Sequence, residues 1–562
     1  MNINYNIEDY EANYMNRKIN REPWYSGNEL VRSLESLNEK QYNKRYIFTD
    51  LMDFLCKPSH DICALYGLRR TGKSVLMRQA MRELIEKNVA KPNEIAYITF
   101  GRNTDSTDVE IIQDIREKKD VIKYFFIDEI SYIKMHLENN LLNLLSDEFA
   151  TKGIKIVIAG TFSFALKLLS NDVLFDRMQK IDTTYFSFKE AYEVFGYSIE
   201  HFTQYGGIIM NPDNKKISPK EYMKTAITDN IVNSLIRSDK LYEIGYLDKK
   251  VDRAIGDEKA LKLRLTTLIK RVVDNYMKLL IYKDIVKCNY RFSDIGNLAQ
   301  LIRQRSERDN FNDELLDIIN INKQQYYCIL EEKLGTFEKG DITEECFNEL
   351  ITILKQIGVI EDIYLQHAQE SCFVTNYLRY GLCEEILSQI ERDISIETNN
   401  RYDVSLASNN LKGSILETII YLDLNYSNKY KFDKYRNKSN GYEVDLVIKD
   451  DENGTMDIYE IKYSSQPLIT HAKNLVNNDF ILELESELGY KISSYNVIYN
   501  GEDIVKTIKP QDVFEELKEL AIKTDGKNKW SKLKQRASTF KWPQRSINYI
   551  NATNFLCNIN VY

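Results

Sequence analysis

The sequence predicts a multidomain α/β protein, and three observations support this fold class. The chain has 562 residues, several times the roughly 150 residues of an ordinary domain. Between about residues 61 and 206, short β-type runs alternate with helical stretches, which is typical of a mainly parallel sheet with helices on both faces. Further β-type runs return between about residues 401 and 515, after a long region of helical period. We therefore expect two α/β units separated by a mainly helical segment.

The expected domain boundaries follow these changes of pattern. The stretch NELVRSLESLNEK carries apolar residues at helical spacing and predicts a helical N-terminal extension. The expected units are the extension at residues 1–60, an α/β domain at 61–206, a helical domain at 207–400, a second α/β unit at 401–515 and a basic tail at 516–562.

The composition argues against several classes of protein. Hydrophobic residues make up 43% and charged residues 28% of the chain, as in folded globular proteins. No apolar run reaches the roughly 18 residues that a membrane-spanning helix needs, and the polar, acidic N-terminus lacks the segments of a secretion signal. The eight cysteines are scattered without a CxxC pair, and the net charge of -8 argues against a whole-surface attraction to nucleic acid. We therefore expect a cytoplasmic protein with no membrane partner.

The segment ICALYGLRRTGKS is the strongest functional signal in the chain. An apolar strand leads into Gly67, four residues follow, and Gly72, Lys73 and Ser74 precede the helix VLMRQAMRELIEK. Glycines let the backbone wrap around a phosphate, so that successive N–H groups and the helix N-terminus face the negative charge. Lys73 then reaches the β- and γ-phosphates, and the Ser74 hydroxyl coordinates magnesium. The segment predicts a loop that binds ATP with Mg2+. The expected nucleotide contacts in it are Gly67, Arg70, Thr71, Gly72, Lys73 and Ser74.

Two further strand ends carry polar residues that suit nucleotide chemistry. The apolar strand in YFFIDEI ends in Asp128 and Glu129. Asp128 is expected to hold the magnesium ion, directly or through water, and Glu129 to polarise the attacking water. The strand IKIVIAG ends at Thr161 and Ser163, where a polar side chain can sense the γ-phosphate. These residues predict hydrolysis as well as binding.

The helical segment at 207–400 ends in two β-type runs, VIEDIYLQ and CFVTNYL, separated by HAQE. Helices followed by a short hairpin resemble a winged helix, a fold that often binds DNA. The helix in the recognition position carries Glu344, Glu345 and Glu349 against Lys355, which disfavours contact with phosphates. A packing or protein-contact role is therefore the preferred interpretation.

A second group of polar residues lies on the predicted strands YEVDLVI and DIYEIKYS. Side chains alternate along a strand, so Glu460 and Lys462 share one face. The dipeptide Asn453-Gly454 predicts a two-residue turn, which pairs Asp445 with Lys462. The ordinary interpretation of such a pair is a sheet-stabilising contact with no further function.

A carboxylate on the preceding helix makes a catalytic interpretation attractive. Glu417 lies in LKGSILETIIYLDL, in an apolar setting where a carboxylate needs a partner. A metal ion shared with Asp445 and Glu460 would be such a partner, and oxygen-only ligation suits magnesium or manganese. Lys462 would then position or activate a water for attack on a phosphodiester.

The sequences of several motifs resemble those of one family of prokaryotic AAA-type P-loop ATPases, whose C-terminal part is called domain of unknown function 4143. The matching motifs are GLRRTGKS, FIDEI, GTFSFAL, LFDRMQKI, YFSFKEAYEVFG and HFTQYGGI, within a likeness that spans roughly residues 60–510. The resemblance implies that Arg177 contacts nucleotide as an arginine finger, often from a neighbouring subunit, which implies a homo-oligomer. A surface pair between Arg177 and Asp176 or Asp182 is the alternative. Two departures concern packing: Tyr185-Phe186 stands where Pro-Leu is usual, and GGIIM where GGFP is usual.

The C-terminal domain of that family is similar to the PD-(D/E)XK nuclease core, a restriction-endonuclease-like fold. The resemblance implies that four residues of this chain occupy its signature positions, and that Arg436 is the usual basic residue before the hairpin. The four residues are Glu417, Asp445, Glu460 and Lys462.

The combined features predict an ATPase whose nucleotide cycle controls a metal-dependent nuclease domain, as in defence or mobile-element systems. The expected cofactors are ATP and Mg2+, with Mn2+ as an alternative at the nuclease-like site, and the expected partner is nucleic acid, DNA before RNA. The alternatives are a regulatory switch that binds nucleic acid or protein without cutting, and a ring-forming motor or loader on DNA. The basic stretch KNKWSKLKQRASTFKWPQR suits a phosphate backbone, and equally a solvated tail or a docked helix.

Overall fold

The structure is a computed structural model, and its described residues form two sheet-containing units and a short hairpin. The described residues are 26–36, 43–57, 62–99 except 69, 121–130, 152–160, 178–209, 218–221 except 220, 355, 358–381 except 366–367, 384, 405–436, 442–516 except 510 and 514, and 543–559. Their helices are α1 (Gly27–Ser36), α2 (Phe48–Cys56), α3 (Lys73–Glu86), α4 (Phe188–Phe195), α5 (Ile199–Tyr205), α6 (Ser405–Ser427), α7 (Asn478–Leu488) and α8 (Ala552–Cys557). Their strands are β1 (Ile62–Tyr66), β2 (Ile95–Thr99), β3 (Tyr124–Asp128), β4 (Lys155–Gly160), β5 (Met178–Asp182), β6 (Ile360–Leu365), β7 (Ala368–Phe373), β8 (Lys431–Arg436), β9 (Glu443–Asp450), β10 (Thr455–Ile461), β11 (Lys491–Tyr499), β12 (Ile504–Ile508) and β13 (Arg545–Asn551).

The first unit is built on a parallel sheet of five strands in the order β2-β3-β4-β1-β5. Strands β1 to β4 lie in the predicted β-type runs ICALY, EIAYITF, YFFID and IKIVIAG, and nearly all their side chains are buried. Short, almost wholly apolar strands are expected where helices cover both faces of a parallel sheet. The α/β prediction for this unit is therefore confirmed.

Strand β5 is not among the runs that the sequence predicts. It lies at the edge of the sheet beside β1. Its sequence, MQKID, buries only Met178 and Ile181, while Lys180 is exposed. A strand at the edge of a sheet is less enclosed than a central one, so its apolar pattern is too short to be recognised.

Helices α1, α2 and α3 share one hydrophobic core with this sheet. Leu30 of α1, Phe54 of α2 and Met77 of α3 are buried in the same cluster as Tyr97 of β2. Helices α1 and α2, which the sequence assigns to a separate extension at residues 1–60, are therefore a layer of the first unit.

Strands β6 and β7 form an antiparallel hairpin near the end of the predicted helical segment. Its second strand begins at Ala368, within the predicted separator HAQE, and includes only Cys372 and Phe373 of the predicted run CFVTNYL. Residues 376–381, directly after the hairpin, are helical. Residues 222–354 lie outside the described part of the chain, so the winged-helix interpretation stays a prediction.

The second unit carries a mixed sheet of six strands in the order β12-β13-β11-β10-β9-β8. Strands β8, β9 and β10 form an antiparallel meander, and β11 runs parallel to β10. Phe480 and Leu484 of α7 pack on this sheet in a core with Val447 and Val497. A separate C-terminal α/β unit is therefore confirmed.

The C-terminal sheet extends beyond residue 515, where the sequence places its end. Strand β13 lies inside the sheet, parallel to β11 and antiparallel to β12, with Ile547 and Tyr549 buried. The expectation of a basic tail at 516–562 is therefore wrong for β13 and α8. Only two apolar side chains of RSINYIN point inward beside its asparagines, and Asn548 is accommodated by donating to the Asn496 side chain at 2.9 Å.

The connection between β9 and β10 is longer than the predicted two-residue turn. Thr455 pairs with Asp450, so four residues connect the strands. The Asp450 carboxylate accepts hydrogen bonds from the backbone N–H groups of Glu452 at 3.0 Å and Asn453 at 3.1 Å. An aspartate that bonds the backbone two residues ahead favours such a turn and outweighs the Asn-Gly signal.

The longer turn shifts the register of the hairpin. Leu446 pairs with Tyr459, so the next position, Asp445, falls beside Glu460 and not opposite Lys462. The predicted direct cross-strand pair of Asp445 with Lys462 is therefore wrong in register, although the two side chains meet, as described below.

Helix α6 connects the two units. Its Asp423 accepts hydrogen bonds from the Tyr185 hydroxyl and, at 3.3 Å, from the backbone N–H of Phe188 at the start of α4. The ring of Tyr426 stacks on that of Tyr185, with 3.7 Å between their centroids. The C-terminal helix α8 also contacts α4. The segment that follows β5 is thus joined to the helix that leads into the second sheet.

Candidate functional sites: a glycine loop and a charged cluster

The segment between β1 and α3 forms the loop predicted to bind phosphate. Strand β1 ends at Tyr66 and α3 begins at Lys73, with Gly72 as its N-cap at φ 91°. Gly67 has φ 146°, and a Cβ atom there would lie 2.5 Å from Oγ1 of Thr183. Both glycines therefore occupy backbone positions that other residues rarely adopt.

Lys73 is held inside this loop. Its side chain is buried, and Nζ donates to the carbonyl oxygens of Gly67 at 2.8 Å and Leu68 at 2.7 Å. Ser74 follows in the first turn of α3 and is half-buried. The loop thus gathers an ammonium, a hydroxyl and a helix N-terminus in one place, and each of these favours a bound anion or its metal ion.

Two threonines after β5 form a wall of the loop. The Thr183 hydroxyl lies 2.7 Å from the Thr71 hydroxyl and donates to the Tyr66 carbonyl oxygen at 2.9 Å. The Thr184 hydroxyl accepts a hydrogen bond from the Leu68 N–H at 3.3 Å. Sequence reasoning missed both threonines because they follow the one strand of this sheet that the pattern does not reveal.

Asp128 and Glu129 lie where β3 ends. The Asp128 carboxylate is 3% exposed and accepts hydrogen bonds from the Tyr97 hydroxyl at 3.2 Å and from the Glu129 N–H at 2.9 Å. Burial, together with the nearby Asp128, raises the pKa of Tyr97, so this hydroxyl stays protonated and keeps donating. Glu129 adopts a left-handed backbone conformation at φ 53°. The end of β3 therefore holds the Asp128 carboxylate in place and carries Glu129 on a left-handed backbone.

The residues at these strand ends suit ATP with magnesium. Ser74 and Asp128 offer the oxygen ligands that magnesium prefers. Strand β4 separates β1 from β3, so the two strand ends are roughly 10 Å apart and leave room for phosphates between them. Arg70 is exposed in the loop at φ 63°. Three other residues predicted to contact nucleotide, Thr161, Ser163 and Arg177, lie outside the described part of the chain.

Sequence reasoning also missed Arg45, a buried residue three positions before the start of α2 and next to the loop. Its Nη1 donates to the carbonyl oxygens of Thr71 at 3.0 Å and Thr183 at 2.8 Å. The only signal in the sequence is one arginine before the apolar start of α2, and nothing in that pattern says what it contacts.

The second candidate site is a cluster on β9, β10 and the residue after β10. Lys462 Nζ lies 2.8 Å from Asp445 Oδ2 and 2.6 Å from Glu460 Oε2. Asp445 also accepts the Ile461 N–H at 2.8 Å, and Glu460 accepts Asn474 Nδ2 at 3.0 Å. The long lysine side chain thus brings together the three residues that the sequence predicts to converge, despite the shifted register.

Burial and charge set the protonation of this cluster. Burial raises the pKa of Glu460 to about 8, against the attraction of Lys462. Burial also opposes the charge on Asp445, but Lys462 and Lys434 outweigh it and lower the pKa of Asp445. Burial raises the pKa of Glu417 to about 7, with Lys434 acting against it. The cluster therefore combines a fixed aspartate–lysine ion pair with carboxyl groups that exchange protons near neutral pH.

Two neighbours of the cluster were not found from the sequence. Asn474 donates to Glu460 and, at 2.9 Å, to the Glu443 carbonyl oxygen. Burial, followed by the positive charge of Lys462, lowers the pKa of His471 to about 4, which keeps its imidazole neutral. Both lie in the segment before α7, whose polar sequence gives no sign that it returns to the strand ends.

The predicted metal set of the C-terminal unit is not assembled. Within the described residues, no group of three or more histidines, cysteines, aspartates and glutamates is arranged to hold a metal ion. The Lys462 ammonium lies between the carboxylates of Asp445 and Glu460, and Glu417 pairs with Lys434 at 3.2 Å. The arrangement does not fit a metal that shares all three carboxylates. Arg436, the predicted basic residue before the hairpin, is exposed and lies 3.9 Å from Glu443.

Comparison with known proteins identifies the first unit. Residues 59–192 match the family model described as AAA domain. The chain therefore contains an AAA domain, which agrees with its parallel sheet and glycine loop. A comparison with curated proteins found no match.

Several solved structures are similar to the chain at low identity. The Aeropyrum pernix ORC2 protein is 12% identical, with 66% of this chain and 94% of that chain covered and a TM-score of 0.26. The S. cerevisiae Hsp104–ADP complex is 13% identical, with 70% and 57% covered and a TM-score of 0.26. AMPPCP-bound DnaA from Aquifex aeolicus is 13% identical, with 55% and 85% covered and a TM-score of 0.23. Similarity at this level says nothing about function.

In the described part of the chain, none of the helices combines the length and the hydropathy needed to cross a bilayer.

Proposed function

We propose that this protein binds and hydrolyses ATP with magnesium at residues 67–74, and that the state of this site controls the C-terminal unit. The observation that carries the proposal is the buried Lys73 ammonium, which lies inside a glycine loop at the start of α3. The AAA domain at residues 59–192 supports the same function.

When ATP binds, Lys73 would exchange its backbone carbonyl partners for phosphate oxygens. Lys73 now donates to two neutral carbonyl oxygens, whose partial charges are weaker than those of phosphate. The N–H groups of the loop and the N-terminus of α3 would add further donors. Since Gly67 carries no side chain, the backbone can approach the phosphates closely. A bound magnesium ion, held by Ser74 and Asp128, would neutralise phosphate charge.

Hydrolysis would rest on the carboxylates after β3. In our proposal Glu129 polarises the attacking water, while Asp128 is held in place by the Tyr97 hydroxyl and the Glu129 N–H. Thr161 would sense the γ-phosphate.

Arg177 would act on the γ-phosphate of a neighbouring copy, which requires a homo-oligomer. Comparing the mass in solution with and without a non-hydrolysable ATP analogue tests the last point, because a fully active monomer would exclude it.

Control of the C-terminal unit has a physical route through α6. The threonine wall of the loop leads directly to Tyr185, which bonds Asp423 and stacks on Tyr426. On another side of the same helix, Tyr421 donates to the Asp445 carbonyl oxygen. A shift of the wall on nucleotide binding would therefore move the helix that supports the second site.

The direct test is ATP hydrolysis by Lys73→Ala beside wild type. The variant is expected to lose activity by about a hundredfold or more, since a donor aimed at developing charge is removed. Lys87→Ala is the matched control, because Lys87 is an exposed lysine that follows the same helix and pairs with Glu83. Normal hydrolysis by Lys73→Ala would overturn the proposal.

A second candidate function is cleavage of nucleic acid by the C-terminal unit, DNA before RNA, as part of a defence or mobile-element system. The observation in its favour is the cluster of Asp445, Glu460 and Lys462 at the end of the hairpin. An ammonium beside carboxyl groups that exchange protons near neutral pH suits general acid–base chemistry on a phosphodiester. The resemblance to PD-(D/E)XK nucleases points the same way.

A cleavage panel separates this candidate from its alternatives. Linear, nicked and single-stranded DNA and RNA would be incubated with magnesium or manganese, with and without ATP. Cleavage that is lost in Asp445→Asn and Lys462→Ala, and kept in the control Lys491→Ala, supports a nuclease, because Lys491 is an exposed lysine at the start of β11. Binding without cleavage would favour the regulatory switch. ATP-dependent assembly of rings on DNA would favour a motor or loader.

A further inference from the structure

Arg45 is a buried arginine whose side chain is fixed on several sides. Its Nε and Nη2 donate to the two carboxylate oxygens of Glu190 at 3.0 and 3.1 Å. Glu190 is 0% exposed and also accepts the Tyr46 N–H at 2.8 Å. The ring of Phe186 lies 4.1 Å from the guanidinium carbon. A two-pronged ion pair of this kind sets the plane of the guanidinium before any ligand arrives.

The remaining donors of Arg45 reach the nucleotide loop and its wall. Nη1 bonds the carbonyl oxygens of Thr71 at 3.0 Å and Thr183 at 2.8 Å, and Nη2 bonds that of Tyr185 at 2.8 Å. One nitrogen therefore clamps the loop to the segment that follows β5. The hydroxyl contact of Thr71 with Thr183 joins the same two segments a second time.

The contact with Thr71 has a consequence for the next residue. The carbonyl of Thr71 and the N–H of Gly72 belong to one planar trans peptide, so they point in opposite directions. A hydrogen bond that fixes the carbonyl also fixes the direction of the Gly72 N–H. That N–H is one of the loop donors just before the first turn of α3, where an anion is favoured.

We propose that Arg45 is a positioning residue of the nucleotide site. It holds the peptide between Thr71 and Gly72 in the orientation that receives phosphate, and Glu190 sets the plane of its guanidinium. The proposal rests on ATP binding at residues 67–74. It extends the nucleotide machinery to a residue outside the AAA match at 59–192, on a segment before the first strand.

The test measures nucleotide affinity separately from stability. Arg45→Lys keeps the positive charge but replaces three donor nitrogens with one, and Arg45→Met removes the charge. Calorimetric titration with magnesium and a non-hydrolysable ATP analogue, well below the melting temperature, is expected to show at least roughly tenfold weaker binding by both variants. The control is Arg82→Met, because Arg82 lies on α3 and donates to the Leu34 carbonyl oxygen at 2.5 Å, among the helices of the same core.

The outcomes separate the possible roles of Arg45. If the Arg45 variants melt at a lower temperature but bind the analogue as wild type does, the residue is structural and the proposal is wrong. Should Arg45→Met fail to fold, Arg45→Lys and Glu190→Gln decide by the same titration. Weak binding by the Arg45 variants with normal binding by Arg82→Met supports the proposal. If wild type and Lys73→Ala bind the analogue equally or not at all, ATP binding at this loop fails first, and the Arg45 proposal fails with it.

Discussion

Lys73 and Lys462 are both lysines gathered among oxygen atoms at the end of a strand, but the oxygens differ in charge. Lys73 donates to two backbone carbonyls, whereas Lys462 contacts the carboxylates of Asp445 and Glu460. Lys73 is buried in a loop whose amides and helix N-terminus favour an anion. Lys462 is 31% exposed and already sits between two acids.

The difference indicates which site is ready for a phosphate ligand. An incoming polyphosphate brings full negative charge to Lys73 and would replace its hydrogen bonds to the Gly67 and Leu68 carbonyl oxygens. At Lys462 the same anion would compete with a carboxylate that is already ionised and would meet its repulsion. The first site is therefore arranged to bind, while the second needs a change in protonation, in ions or in the position of α6 before it can act.

The largest expected effect is on ATP hydrolysis at the site of Lys73. Glu129→Gln removes the proposed base but leaves Lys73 and the glycine loop unchanged. ATP hydrolysis is expected to fall about 10²- to 10⁴-fold, while the affinity for a non-hydrolysable analogue stays within roughly threefold. A phosphate-release assay and a titration measure the two quantities. Glu83→Gln is the control, because Glu83 lies on α3 and pairs with Lys44 and Lys87 away from the loop. Unchanged hydrolysis in Glu129→Gln would remove this residue from the mechanism.

The second prediction is that Lys462 stabilises the protein more than Lys73 does. Lys462→Met leaves the buried, ionised Asp445 carboxylate without its cation and is expected to destabilise the C-terminal unit by about 2–4 kcal/mol. Lys73→Met loses hydrogen bonds to neutral carbonyls and is expected to cost about 1–2 kcal/mol. Hydrogen exchange of the β10 and β1 amides in low urea measures the two losses separately. Equal losses of stability in the two variants would contradict the proposed difference between Lys73 and Lys462.

A smaller effect concerns Asp423, where the two units meet. Burial raises the pKa of Asp423 to about 7, against the hydrogen bonds from Tyr185 and Phe188. The raised pKa means that its contribution to stability is complete below about pH 4 and is lost as the pH rises through 7. Relative to Asp423→Asn, wild type is expected to lose on the order of 2–3 kcal/mol between pH 5 and pH 8. Thermal unfolding of both proteins at the two pH values measures this, and a difference that does not change with pH would contradict it.

The smallest effect is expected at Arg436. Its contact with Glu443 is 3.9 Å long, and its side chain is 70% exposed. Arg436→Gln is therefore expected to change stability by less than about 0.5 kcal/mol. If the C-terminal unit binds nucleic acid, the same variant weakens that binding, as a fluorescence anisotropy titration would show. A clear loss of stability would mean that Arg436 is structural.

The sequence predicts those parts of the fold that depend on local pattern. Buried central strands and the glycine loop are visible because their signals are continuous in the chain. Strand β5 cannot be recognised in the sequence, because an edge strand needs little apolar surface. Strand β13 cannot be recognised either, because its Asn548 pairs with Asn496 inside the sheet.

The parts of the sites that depend on distant contacts are not visible. The Asp450 side chain stabilises the longer turn and so sets the hairpin register. Asp445 therefore lies beside Glu460 and not opposite Lys462, although Lys462 still contacts Asp445. Arg45 lies beside Thr71 only because α1 and α2 pack on the same core as β1. No spacing rule within a short segment contains that information.

The most direct test of the central claim is a titration of wild type, Lys73→Ala and Lys462→Ala with magnesium and a non-hydrolysable ATP analogue. We expect one nucleotide per chain in wild type and in Lys462→Ala, and binding at least roughly a hundredfold weaker in Lys73→Ala. Equal affinity in wild type and Lys73→Ala, or loss of binding in Lys462→Ala alone, would contradict the assignment of the nucleotide site to the loop between β1 and α3.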